Sequence, residues 1–94
     1  MNTTVTVQIG NSDDKLSQAQ WSRYISSVSD VVCDYSIQVH FSGGSSYDMP
    51  WQNACFVAEV APGMIEALQS HLTEIRKQFG QDSIAITFGD TSFI

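Results

Sequence analysis

The side chains able to do chemistry are few and scattered: two thiols (Cys33, Cys55), two imidazoles (His40, His71), and ten carboxylates against four cations. The cysteines are too few for a disulfide framework and too far apart for a CxxC redox or zinc pair, so both read as free thiols on small side chains. Cys55 and His40 fall on neighbouring strands, where a thiol and imidazole pair is conceivable, yet nothing in their flanks activates either. Asp13 and Asp14 are adjacent carboxylates without an evident third ligand; just ahead of a helix they favour the positive end of its dipole. His40 is expected near Glu59 or Gln38, and His71 on a helix, each as an ordinary surface or boundary histidine. No catalytic residue, cofactor or metal ligand is assigned, and the reading leans away from an enzyme.

Charge and composition narrow the remaining classes. The net charge of -6 over 94 residues opposes attraction to phosphate backbones and anionic lipid, so neither nucleic acid nor a membrane is an expected partner. No apolar run reaches the roughly 18 residues of a membrane span, and Met1-Asn2-Thr3-Thr4 does not resemble a signal peptide, which makes the cytoplasm the expected location. With 43% hydrophobic and 15% charged residues, residues 1–94 fit one domain with a core of its own.

Hydrophobic periodicity supplies the elements that must position these groups. Val5, Val7 and Ile9 alternate with Thr4, Thr6 and Gln8, predicting a half-buried strand over 4–9. Ser17 and Gln20 form a capping box, with Leu16 and Trp21 as a hydrophobic staple, and Trp21, Ile25, Val28 and Val32 continue one helical stripe. A second strand is read over 35–41, with Tyr35, Ile37, Val39 and Phe41 facing the core. A third covers 54–60, with Ala54, Phe56, Ala58 and Val60 inward. Pro62 opens a second helix and Gly80 closes it, around the stripe Ile65, Leu68, Leu72, Ile75 and Phe79. A last strand spans 83–88, followed by a tail whose Phe93-Ile94 pair is expected to cover a sheet edge.

This order is the split βαβ arrangement of α+β ferredoxin-like domains, βαββαβ. Right-handed crossovers then place both helices on one face of a four-stranded antiparallel sheet in the order 4-1-3-2. The other face is left open, carrying Thr4, Thr6, Gln8, Ser36, Gln38, His40, Cys55, Val57, Glu59, Ala85 and Thr87. It lacks the aromatic rings and basic flanks of an RNA-recognition sheet. A solvated face, a homodimer contact or the docking of a partner all remain open for it.

The segment 42–53 is too long for a tight hairpin, the length at which a loop points to function. Tyr47, Asp48, Trp51 and Asn53 give it the mixture of rings and amides found in recognition loops. The competing expectation is that Trp51 folds back to plug the core. Gly43-Gly44-Ser45-Ser46 reads as a flexible spacer rather than an anion cradle, since no helix or lysine follows it.

Three stretches, Gly10-Asn11-Ser12-Asp13-Asp14-Lys15-Leu16 followed by Trp21, Trp51-Gln52-Asn53-Ala54-Cys55-Phe56, and Gln81-Asp82-Ser83-Ile84-Ala85, resemble a group of small uncharacterised proteins from actinobacteria and their phages. That resemblance covers most of the chain and implies an accessory, phage-borne role without a known activity. In topology the chain also resembles dimeric cofactor-free monooxygenases and lactone isomerases, and amino-acid-binding regulatory domains. It is similar in length to acylphosphatases, but Asn11-Ser12-Asp13-Asp14-Lys15 replaces their glycine-rich, arginine-containing loop.

The expectation is therefore a small acidic interaction protein that binds a basic protein partner, such as an immunity protein or a phage-encoded inhibitor. Its candidate binding residues are Tyr47, Asp48, Trp51 and Asn53 in the loop. The alternative is a small-molecule-binding or sequestering domain, or a dimeric cofactor-free monooxygenase or isomerase, with His40, Glu59 and Trp51 lining the site. A homodimer through the open sheet face accompanies either reading.

Overall fold

The computed structural model describes residues 2–11, 13–46 and 51–94. The elements run β1 (Thr3–Gly10), α1 (Gln18–Tyr35), β2 (Gln38–Gly44), β3 (Asn53–Val60), a 3-10 turn (Pro62–Met64), α2 (Ile65–Gln78) and β4 (Ala85–Gly89). All four strands form one antiparallel sheet in the order β2-β3-β1-β4. This is the α+β ferredoxin-like arrangement that the periodicity predicts.

Local chemistry explains where the helices begin and end. The Ser17 side chain accepts the Gln20 amide at 3.2 Å, and the Ser17 amide donates back to Gln20 Oε1 at 2.8 Å, completing the capping box. Leu16 and Trp21, the expected staple, are both buried in the core. At the far end of α2, Gly80 takes a left-handed φ of 64°, a backbone region that glycine enters without steric cost. The core joins Val5, Val7 and Ile9 of β1 and Ala54, Phe56, Ala58 and Val60 of β3 to Trp21, Tyr24, Val28 and Val32 of α1 and Leu68, Leu72 and Ile75 of α2. Tyr35 and His71 tie the two helices together, their rings meeting edge to face at 5.9 Å.

The second strand departs from expectation. Tyr35 is the last residue of α1, because Val28, Val31, Val32 and Tyr35 prolong the helical stripe; β2 starts only at Gln38, and Ser36 is the helix C-cap rather than an open-face strand residue. Ile37 is 61% exposed and Phe41 55% exposed, so neither belongs to the core. Ile37 lies in the link between α1 and β2, and for Phe41 the reason is a bulge: Val39 pairs with Ala58 and Phe41 with Val57, leaving His40 as an extra residue. Beyond it the faces exchange. Phe41 joins Val57 on the open face, and Ser42 and Gly44 lie opposite Phe56 and Ala54 on the side of α1.

That exchange creates a cleft. With Ser42 where a large apolar residue would otherwise stand, a space of about 300 Å3 opens between β2 and α1, walled by Trp21, Ile25, Ser29, Ser42, Gly44 and Phe56 among others. Gly43 and Gly44 belong to β2, and Ser45 bonds Asn53, so this stretch is ordered strand rather than a flexible spacer.

The tail turns back over the open face instead of along an edge. The Thr4 and Thr91 hydroxyls hydrogen-bond, and the Phe93 ring lies 5.9 Å from that of His40.

Candidate functional site

Antiparallel pairing brings the end of β1, the start of β3 and the start of β4 to one end of the sheet, next to the first turn of α1 and the last of α2. Three loops meet there, and each carries one buried amide: Asn11, Gln52 and Gln81. Asn11 Oδ1 accepts the Leu16 amide at 3.0 Å, while its Nδ2 donates to the Leu16 carbonyl and to Gln52 Oε1, both at 3.1 Å. Gln52 and Gln18 exchange a reciprocal pair of amide bonds, Nε2 of Gln52 to Oε1 of Gln18 at 2.7 Å and the reverse at 3.0 Å. Gln81 Nε2 donates to the Phe79 carbonyl at 3.3 Å, and Arg76 donates to the Gln81 carbonyl at 3.0 Å. Buried amides without partners cost far more than paired ones, so this network fixes the loops rather than merely filling space.

Trp51 directly precedes the pinned Gln52, and its side chain is 63% exposed. The ring is not a core plug. Asn53, the first residue of β3, is exposed as well, and its main chain is held by Ser45: Ser45 N–H donates to the Asn53 carbonyl at 3.0 Å and Asn53 N–H to Ser45 Oγ at 2.9 Å. Tyr47 and Asp48 lie outside the described residues.

Carboxylates border the same end. Lys15 Nζ sits 3.1 Å from Asp82 and 3.6 Å from Asp13. The hydrogen bond that Lys15 donates to Asp82, and then the charge of Asp82, hold the lysine above its ordinary pKa. Asp14 adopts a left-handed φ of 59°, which a short polar side chain tolerates. Asp13 and Asp14 gather no third ligand, and among the described residues no three His, Cys, Asp or Glu side chains cluster to hold a metal ion.

His40 and Glu59 do meet, on the open face. His40 Nε2 stands 3.7 Å from Glu59 Oε1, an ion-pair distance on protonation but too long for a hydrogen bond. Cys55 pairs with Gly43, two residues before the Val57 that lies beside His40, so the register does not assemble a thiol and imidazole pair. Nor do His40, Glu59 and Trp51 line one site. Glu59 lies six residue steps along β3 from Asn53, roughly 20 Å of extended chain, which leaves Trp51 and Asn53 at one end of the sheet and the His40–Glu59 pair toward the other.

Sequence reasoning missed Asn11, Gln52 and Gln81 as structural residues. All three stand in polar loop stretches, where an amide looks solvated until its partners are known. No protein-family model matches the chain, and no curated protein matches it either. No helix among the described residues is long and apolar enough to cross a membrane.

Proposed function

We propose that this protein is a non-catalytic, acidic interaction domain of the cytoplasm that captures a basic protein partner through the Trp51 loop. An accessory role, as an immunity protein or a phage-encoded inhibitor, fits the resemblance in its loop stretches. The observation that carries the reading is the pairing of an exposed ring with a rigid base: Trp51 stands 63% exposed beside Gln52, which is 5% exposed and bonded to both Asn11 and Gln18. An exposed aromatic next to an anchored residue offers contact area to a partner, and such rings dominate binding energy at interfaces. Asp13, Asp14 and Asp82 border the same end, where Lys15 is occupied by two of them. A net charge of -6 speeds encounter with a cationic surface.

Capture by immobilised protein from host lysate, compared between the wild type and Trp51→Ala, tests the assignment. With the fold intact by circular dichroism, loss of a captured partner on substitution supports it, and unchanged capture refutes the loop as the anchor.

A further inference from the structure

We propose that the cleft between β2 and α1 is a binding site for a small neutral molecule, a single planar ring that carries a hydroxyl or amide group. The inference goes beyond the partner reading and does not rest on it, because Trp51 is not among the residues that wall the cleft.

Room comes first. A space of about 300 Å3 stands at the small end of ligand pockets, and an apolar cavity of roughly half that size already admits benzene. The side chains that face each other across it, Ser29 on α1 and Ser42 on β2, are both too short to fill it. Its walls are also held from behind. The ladder from Ser42–Phe56 to Gly44–Ala54 fixes β2 on β3, while Trp21, Tyr24, Val28 and Val32 anchor α1 in the core. Such a space is formed before any ligand arrives.

The walls say what fits it. Trp21, Ile25 and Phe56 supply aromatic and branched apolar surface, against which a ring packs in offset or edge-on geometry. The Ser45 hydroxyl, at the mouth, is committed to the Asn53 main chain. Those of Ser29 and Ser42 have no hydrogen-bond partner among the described residues. Each hydroxyl can donate and accept, so one polar group on the edge of the ring finds a partner on either wall. Apolar surface with a few convergent polar groups is the usual make-up of a small-molecule site.

Charge narrows the ligand class. Among the described residues the cleft is lined by no Asp, Glu, Lys, Arg or His. An ammonium or carboxylate entering it would shed water without gaining a counter-charge. An anion would also meet the repulsion of a chain that carries -6. The two other recesses differ, since one contains Arg76 and the other Asp13 and Asp82.

Benzyl alcohol is the probe, followed on the full chain by NMR shifts of backbone amides and of the two indole N–H groups. It is expected to move the amides of Ser29 and of Ser42 to Ser45 and the indole of Trp21, saturably and with a dissociation constant of about 1 mM or tighter, while the indole of Trp51 stays in place. Benzoate and benzylammonium carry the same ring with a charge and should bind roughly tenfold more weakly or worse. Ser42→Leu fills the space from the strand and should weaken benzyl alcohol binding by roughly tenfold or more. Ser29→Leu fills it from the helix, and decides the matter if the first variant does not fold. Shifts that fail to saturate, that centre on Trp51, or that persist in a folded leucine variant overturn the proposal. So does equal binding of benzylammonium, which would place the probe beside a carboxylate instead.

Discussion

Asn11 and Gln52, 41 residues apart in the chain, hold each other twice: the Asn11 amide donates to the Gln52 carbonyl at 2.8 Å, and the Asn11 side chain donates to Gln52 Oε1 at 3.1 Å. With Leu16 and Gln18 they lock the loop after β1 to the loop before β3. Replacing Asn11 by Ala leaves the Leu16 amide and carbonyl without that partner in a buried site. The expected loss is about 2 kcal/mol, or roughly 10 °C in melting temperature for a domain of this size, read by thermal unfolding. A loss below a few tenths of a kcal/mol would show that water replaces the side chain freely.

The two tryptophans should separate cleanly. Trp21 is 6% exposed and packs in the core, so Trp21→Ala should cost roughly 3–5 kcal/mol. Trp51→Ala should stay within about 0.5 kcal/mol of the wild type, as exposed positions do. Urea denaturation of both variants is the check, and a strongly destabilised Trp51→Ala would mean that the ring packs inward.

Gly44 and Gly63 offer a matched pair. A Cβ on Gly44 would stand 2.2 Å from the Asn53 carbonyl oxygen and 2.9 Å from Ala54 Cα, both main-chain atoms, whereas one on Gly63 meets nothing within 4 Å. Gly44→Ala should therefore destabilise by about 1–3 kcal/mol as the two strands are forced apart, with Gly63→Ala close to neutral. Equal melting temperatures would contradict the close approach of β2 to β3.

Alkaline pH should act through Tyr24. Its ring packs against Phe79 at 5.0 Å, its hydroxyl has no hydrogen-bond partner among the described residues, and burial pushes the phenol up to about 12 against an opposing pull from Arg76. The unfolded chain releases this proton near pH 10, the folded chain only near 12. The contribution is therefore full below pH 10 and is lost as pH rises toward 12, by roughly 2–3 kcal/mol. Tyr24→Phe should match or exceed the wild type at neutral pH and should lack this part of the alkaline loss. Denaturant titrations at pH 9 and pH 11.5 compare the two; parallel losses would exclude Tyr24 as the cause.

The fold was legible where one period belonged to one element. The stripes of α1 and α2, the alternation of β1 and β3, and the Ser17–Gln20 box each have a single physical reading. Tyr35, Ile37, Val39 and Phe41 do not: their alternation is shared between the last turn of a helix, a connecting residue and a bulged strand, and two-residue spacing cannot reveal an inserted residue. In the candidate site, Trp51 was legible because a tryptophan in a long polar loop is unusual. Asn11, Gln52 and Gln81 were not, since what distinguishes a buried amide is the set of groups brought to it from elsewhere in the chain. The nearness of His40 to Glu59 was legible from the strand order, but their separation from Trp51 was not, since it depends on the length and register of β3.

One inserted residue accounts for much of what β2 presents to its surroundings. Because His40 shifts the phase of everything after it, the phenyl ring of Phe41 and the gap above Phe56 are two sides of a single event. No point substitution along the strand would reverse it. Excising His40 would rotate Phe41 toward the helix and Ser42 away from it, trading a recess for a filled core and an aromatic outer surface for a hydroxyl one. In this strand, chain length rather than residue identity sets which side is sticky.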